Sequence, residues 1–408
     1  MRVDGRRGRF ILERAWAAAE IRATVDRLLT AFEDRLPAIG ARILIKPNLN
    51  NDLVALVGNS SDLRVLAALL EGLLNRGYRD LVVADGSNVG VHRRGIDTQA
   101  RLRVDRLVKR YGVALMDLNE DTGVPVPLRA GGRPSVSQAV LEADFLITLP
   151  KVKTHAEAGL SCALKNQVGV CVGQDKREMH RDLGLNIVAI NQAVQPDLVL
   201  VDGLVGMEGN GPGDGDPFRL GVLAMSDDPF LNDLAICRVV GMPWRLVPYL
   251  VHAMDQGVLS ESDQGDIASL PALHRIRQAP PRSKLAELSE ARSLHWLKLA
   301  ARPLIDASPA VIQAAYRLGV VQDVYSADDD GVAGVRRASA DCGDCQDCED
   351  FCPTWLKRDE IGVKTDAEDC VACLYCWWVC PDGVLELDGP LGHLQRQVER
   401  YKTAVEAL

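Results

Sequence analysis

Two cysteine runs have the spacing of metal-cluster chemistry. They read Cys342-x2-Cys345-x2-Cys348-x3-Cys352-Pro353 and Cys370-x2-Cys373-x2-Cys376-x3-Cys380-Pro381. At this spacing three thiolates converge on three irons of one cube, and the x3-Cys-Pro ending sends the fourth to the neighbouring cube. Pro353 and Pro381 support the turn, because proline fixes φ and stops a helix from continuing. Two 4Fe–4S clusters are therefore expected. The first takes Cys342, Cys345, Cys348 and Cys380, and the second takes Cys370, Cys373, Cys376 and Cys352. A zinc site wants four ligands and would leave cysteines over in each half. A disulfide framework belongs to short secreted chains, and this one has 408 residues.

A second group of reactive side chains lies between Pro150 and His180. It contains Lys151, Lys153, His155, Lys165, Asn166, Lys176 and His180. A basic run of this kind is commonly a solvated face. Here positive charge is concentrated in a chain of net charge −9, and the lysines alternate with small or apolar residues. That pattern favours an anion-binding or catalytic site. Lys46, Lys151, Lys153 and Lys165 are expected to hold or polarise a substrate, and His155 or His180 to deliver a proton. Asn48, Asp85, Asn166, Lys176, Asp202, Gly211 and Gly213 are expected to line the binding site, the glycines through a loop over 208–215 that allows close backbone approach. That loop is not a Walker motif, and no GxGxxG opens a helix, so no flavin or nicotinamide signature is present. Cys162 and Cys171 flank Lys165. Each reads either as a buried small hydrophobe or as a thiol activated by the surrounding lysines. Trp377 and Trp378 are expected to shield a cluster from water.

The elements that must position these groups alternate between short apolar strands and helices. Strands are expected over 42–46, 80–84, 113–116, 144–149, 197–201 and 220–225. Helices are expected over 11–35, 60–76, 99–111, 136–142, 185–193 and 228–239. Continuous apolar strands alternating with helices predict an α/β fold, with a mostly parallel sheet covered by helices on both faces. Lys46, Asp85, Lys151 and Asp202 follow strand ends, the rim where open α/β sheets bind ligands. The expected division is an α/β body over 1–240, a helical insertion or arm over 241–325 and a linker over 326–335. A small α+β ferredoxin-like two-cluster domain over 336–390 and a C-terminal helix over 391–408 complete it.

The body also resembles the family catalogued as domain of unknown function 362. The resemblance rests on Lys46-Pro47-Asn48, Asp85-Gly86, Ala143-Asp144, Leu149-Pro150-Lys151-Val152-Lys153-Thr154-His155, Ala163-Leu164-Lys165-Asn166, Lys176, His180, Asp202-Gly203, Gly211-Pro212-Gly213 and Asp227-Asp228-Pro229. It implies a redox iron–sulfur protein, since many members carry a C-terminal tandem of the bacterial ferredoxin kind, but it does not fix a reaction. Cys162, Cys171 and the region 242–321 do not map onto the family pattern.

The expected protein is an iron–sulfur oxidoreductase acting as a reductase. It would pass electrons through two 4Fe–4S clusters to a small anionic or carbonyl-bearing molecule at the lysine and histidine rim. An external low-potential donor, such as a ferredoxin, flavodoxin or reductase, would supply the electrons. Two alternatives stand beside it. One is a non-catalytic electron-transfer partner of another enzyme. The other is a metal or cofactor maturation factor, in which Cys162, Cys171, His155 and His180 bind a metal transiently. The net charge excludes a basic nucleic-acid face. No run of 18 apolar residues predicts a membrane span, no apolar leader follows Arg6-Arg7, and a cytoplasmic location fits the free thiols.

Overall fold

A computed structural model describes residues 1–128, 133–280, 325–338, 342–381 and 383–408. In chain order the body strands are β1 (Arg2–Asp4), β2 (Arg9–Arg14), β3 (Ile43–Lys46), β4 (Leu81–Asp85), β5 (Ala114–Asp117), β6 (Gly123–Pro125), β7 (Ser135–Ser137), β8 (Phe145–Thr148), β9 (Lys151–His155), β10 (Gly159–Ser161), β11 (Leu198–Glu208) and β12 (Asp216–Ser226). One sheet runs β1-β2-β12-β11-β8-β3-β4-β5, with β9 and β10 continuing beside β11, while β6 and β7 form a separate hairpin. The centre, from β11 through β8, β3 and β4 to β5, is parallel. The β11, β12, β2 and β1 edge is antiparallel.

The short apolar strands are buried on both faces, so alternate residues enter two different cores. Ile43, Ile45, Leu81, Val83, Phe145 and Ile147 join the core beneath the helices Ala18–Ala31 and Leu63–Asn75. Leu44, Val82, Ala84, Leu146, Val199 and Val201 face the helices Leu183–Ala193, Pro229–Val239 and Pro248–Asp255. This two-sided burial is the physical reason for continuous apolar runs in place of polar–apolar alternation.

Several expected elements change form. The helix expected over 11–35 is the strand β2 followed by the helix Ala18–Ala31. Phe10, Ile11 and Leu12 are all buried, because β2 is paired on both edges and covered on both faces. The helix expected over 99–111 breaks at Arg103, whose φ of 60 lies in the left-handed region. The segment expected to be helical over 136–142 begins as β7, and Ser137 then caps the helix Gln138–Leu141. The strand expected over 220–225 is longer and antiparallel to β11. Of the expected arm, residues up to 280 pack on the body: Tyr249 donates to Leu160 O at 3.2 Å and to Asp233 Oδ2 at 3.1 Å. Residues 281–324 lie outside the described residues. Among the described residues no helix is long and apolar enough to cross a membrane.

The cysteine-rich segment contains a two-stranded antiparallel sheet of β13 (Gly334–Arg337) and β14 (Leu385–Asp388), the short helices Asp347–Asp350 and Tyr375–Trp378 between them, and the closing helix Leu394–Glu406. Its buried Phe351, Tyr375, Trp378 and Val379 belong to the same core as the helix Leu63–Asn75. Polar fasteners add to this contact. Arg64 donates to Asp350 O at 3.0 Å and stacks on the Phe351 ring at 4.2 Å. Leu63 N donates to the Tyr375 hydroxyl at 3.3 Å, and Trp355 Nε1 donates to Glu71 at 2.6 Å.

Beneath this contact lies a buried group of four charges. Arg64 and Asp62 pair at 2.7 Å, and Lys151 and Asp202 pair at 2.8 Å, all four side chains being fully enclosed. Asp62 N donates to Asp202 Oδ2 at 2.7 Å, which joins the pairs. Burial opposes ionisation of Asp62, but Arg64 beside it outweighs burial and holds the carboxyl below its ordinary value. Removing one partner of such a pair strands the other charge in the interior. Asp202→Ala is expected to lower stability by about 3–5 kcal/mol in urea denaturation, and Lys151→Met with Asp202→Leu together to recover most of that loss.

Candidate functional site

The carboxyl ends of β3 and β4, the strand β9 and the segment after β10 enclose a cavity of about 80 Å³. The expected residues Lys46, Asn48, Asp85, Lys153, His155, Lys165, Asn166, Lys176 and His180 all line it. The parallel sheet explains the convergence. β3 and β4 are adjacent and end together, so Lys46 and Asp85 meet at 2.7 Å. Although close, Asp85 Oδ1 lacks hydrogen-bond geometry to that ammonium, so the contact is electrostatic. Asp85 Oδ2 instead accepts from Leu49 N at 2.6 Å.

The lysines are held mainly by neutral groups. Lys153 Nζ donates to Asn48 Oδ1 at 2.9 Å and Asn59 O at 2.8 Å, with Asn59 Oδ1 at 3.4 Å. Lys176 Nζ donates to Ser87 O at 2.9 Å and also to Asn119 Oδ1. Lys165 donates no hydrogen bond among the described residues, and its nearest carboxylate influence is Glu157. Asn166 fixes the floor: its Nδ2 donates to Thr148 Oγ1 at 2.8 Å, and its Oδ1 accepts from Asn48 Nδ2 at 2.9 Å.

Burial in this setting disfavours positive charge. Burial first, then Lys165 and Lys151, push Lys153 down to about 7. Burial pushes Lys165 down to about 8, against the pull of Glu157, and Lys176 down to about 8, against the pull of Asp85. With one carboxylate among four amines, the cavity is short of negative charge. His155 Nδ1 accepts from Glu157 N and Ala158 N, both at 3.1 Å. Two donors aimed at Nδ1 favour the tautomer with its proton on Nε2. His180 is more exposed and pairs with Glu157 at 3.2 Å.

Lys151 and Asp202, expected to act on substrate, do not line the cavity. The buried ion pair commits each to the other. Gly211 and Gly213 do not line it either, whereas Pro212 between them does. Gly211 packs against Thr154, and Gly213 faces open space. Cys162 and Cys171 are buried outside the lining. Burial pushes the Cys171 thiol up to about 12 and raises Cys162 well above its ordinary value, so neither has the character of an activated thiol.

Sequence reasoning did not single out Asn59, Ser61, Asn119 or Gly169. A Cβ on Gly169 would lie 2.6 Å from Lys46 Nζ and 2.7 Å from Asp85 Oδ1, and one on Gly86 would lie 2.5 Å from Lys176 Nζ. The main chain itself therefore forms two walls of the cavity. Asp233 was also missed. It accepts from Ala163 N at 2.8 Å and Leu164 N at 3.1 Å, and so anchors the turn that carries Lys165 and Asn166.

A second cavity lies in the cysteine-rich segment. Cys352, Cys370, Cys373 and Cys376 line it together with apolar groups that include Val335, Leu356, Ile361 and Leu374. Ala372 and Leu374 have φ of 51 and 66, which wraps the main chain around the thiols. Ala372 N donates to Cys370 Sγ at 3.4 Å. Four thiols, an apolar wall and a backbone donor to sulfur suit the donor set of an iron–sulfur cluster. Cys342, Cys345 and Cys348 lie within electrostatic reach of one another, and Arg337 donates to Cys342 Sγ at 3.7 Å. Among the described residues no three His, Cys, Asp or Glu side chains converge on a single ion.

These features define an α/β protein with a lysine-rich cavity at the carboxyl end of its parallel strands. Residues 43–238 match the model of the family described as domain of unknown function, DUF362. A thylakoid-associated protein of Synechocystis sp. is 34% identical over 120 residues, which are 28% of this chain and 37% of that protein. The chain thus spans little more than a third of that curated relative. Among solved structures, the lactate racemase apoprotein of Thermoanaerobacterium thermosaccharolyticum shares 14% identity at a TM-score of 0.32, covering 56% of this chain and 55% of its own. A Thermotoga maritima protein shares 12% identity at a TM-score of 0.27, covering 51% of this chain and 55% of its own. Likenesses of that size carry no argument about function.

The depressed lysines make anion binding proton-linked. A bound anion favours the ammonium form, so Lys153, Lys165 and Lys176 regain protons when it binds. At pH 8, above or at their ligand-free values, titration with inorganic phosphate should take up on the order of one proton per site. Calorimetry in buffers of different ionisation enthalpy measures this. Uptake should vanish near pH 5, where all three are already charged.

Proposed function

We propose that this protein is an iron–sulfur oxidoreductase that binds a small anionic, carbonyl-bearing molecule in the lysine cavity and delivers electrons to it from the cysteine-rich segment. Cys370, Cys373, Cys376 and Cys352 would hold one 4Fe–4S cluster, and Cys342, Cys345, Cys348 and Cys380 the other. When bound, the clusters supply single-electron transfer at low potential. An external low-potential carrier is the partner this reading requires.

The observation that supports the proposal is that one short segment, 59–63, bonds to residues of both the lysine cavity and the cysteine-rich segment. Asn59 holds Lys153 on the substrate side, and Ser61 Oγ accepts from Asn48 N at 2.8 Å. Two residues on, Leu63 N donates to the hydroxyl of Tyr375, which adjoins Cys376 in sequence. The segment 59–63 thus contacts Lys153, which lines the lysine cavity, and Tyr375, which stands between Leu374 and Cys376 of the thiol-lined cavity. A docking protein for another enzyme would not need an enclosed cavity of converging amines.

In the cavity the chain's own residues have defined work. Lys165 and Lys176 attract and orient the anion, and Lys46 with Asp85 fixes one wall. His155, which lines the cavity, would donate a hydrogen bond to the carbonyl oxygen as charge develops on it.

Anaerobically purified protein should contain about eight irons and eight sulfides. After dithionite reduction, electron paramagnetic resonance should show the clusters reoxidised on addition of small 2-oxo acids. His155→Ala should slow that reoxidation about 10²–10⁴-fold at unchanged iron content. Purified protein holding zinc in place of iron, or reoxidation at the wild-type rate in His155→Ala, would remove the proposal.

A further inference from the structure

Lys153 differs from the two other buried lysines that end strands or follow them. Lys46 faces Asp85, and Lys151 is locked to Asp202. Among the described residues Lys153 has no carboxylate partner; its contacts, Asn48 Oδ1 at 2.9 Å, Asn59 O at 2.8 Å and Asn59 Oδ1 at 3.4 Å, are all neutral acceptors. A neutral amine keeps the two shorter of these bonds with its two N–H groups, gives up the one at 3.4 Å and gains a lone pair. Lys153 is buried, borders the cavity and stands on a paired strand, so its position is fixed by the sheet. The neighbouring cations Lys165 and Lys151 and the loss of water both favour that neutral form. A desolvated amine beside a second cation is the arrangement that activates lysine as a nucleophile toward carbonyl carbon.

We propose that Lys153 is a covalent catalytic residue that condenses with the carbonyl of a small 2-oxo acid to form an iminium. The proposal rests on the reading of the lysine cavity as the substrate site and adds the substrate class and the bond formed. The Nζ lone pair adds to C2, a C–N bond forms, and the carbonyl oxygen becomes a hydroxyl by taking a proton. That hydroxyl leaves as water with a second proton, while nitrogen releases one of its own. The net change is amine plus carbonyl plus one proton giving iminium plus water, with no oxidant or reductant. The Lys165 ammonium is the proton source closest in character, and Lys176 holds the carboxylate. The cavity volume of about 80 Å³ suits a small acid.

The test is reductive trapping of the full-length protein with pyruvate and cyanoborohydride under anaerobic conditions, followed by intact-mass and peptide-mass analysis. The expected product adds pyruvic acid less one oxygen, on the order of once per chain, and maps to Lys153 in the wild-type protein. Lys153→Gln, checked for unchanged thermal unfolding, should lose the adduct, and Lys165→Gln should keep the site of modification but slow trapping several-fold. An adduct that maps to Lys165, Lys176 or a surface lysine overturns the proposal. So does pyruvate binding, seen by calorimetry, without any adduct, and that result leaves the anion cavity in place. No pyruvate binding at all removes the substrate-site reading together with it. Iron content and cluster reduction are read separately, so a failure of the redox assignment is distinct from each of these outcomes.

Discussion

Four charges buried at the carboxyl end of the parallel strands tie the molecule together. Asp62 and Arg64 open the helix Leu63–Asn75, Lys151 begins β9, and Asp202 lies in β11. Each charge is costly to bury alone and tolerable only with its partner in place. The helix start, the second half of the sheet and β11 must therefore come together in one arrangement. Arg64 then extends the arrangement outward to the main chain at Asp350 and the ring of Phe351. Register in the body and docking of the cysteine-rich segment thus depend on the same guanidinium.

That constraint also separates two lysines that look alike in sequence. Lys151 and Lys153 are two residues apart on one strand, and both are buried. One meets an aspartate and becomes part of the scaffold, while the other meets only amide oxygens and borders the cavity. The difference arises in β11 and in the loop after β3, far away in sequence. Pattern in the strand alone does not carry it.

The parallel centre of the sheet was legible because doubly buried strands write continuous apolar runs, as in Ile43-Leu44-Ile45 and Leu81-Val82-Val83-Ala84. The same rule misread Phe10-Ile11-Leu12, where a double-sided strand next to a helix has no break in hydrophobicity to mark the boundary. Lys46 and Asp85 were legible as neighbours on one rim, since strand ends in such sheets share it, whereas Lys153, inside β9, and Asn166, at the end of the helix Ala163–Asn166, were legible only as members of the basic run. Asn59, Ser61 and Asn119 were not, because their role is to accept or hold from loops whose path follows from tertiary packing. Gly169 sits between Val168 and Val170 and carries no local signal of a wall. The grouping of Cys352 with the second cysteine run follows from spacing, whereas the depth to which that segment is embedded in the body does not.

The walls at Gly86 and Gly169 bear on how such a cavity could diversify. A pocket lined by side chains changes its ligand through substitutions that enlarge, shrink or recharge it. Where the wall is main chain already close to lysine amines and a carboxylate, any side chain would displace Lys46, Asp85 or Lys176. The inner end of the cavity is therefore fixed by main chain packed close to Lys46, Asp85 and Lys176. Variation in what is accepted would have to come from the mouth, around His180 and Pro212, where the enclosure opens toward solvent.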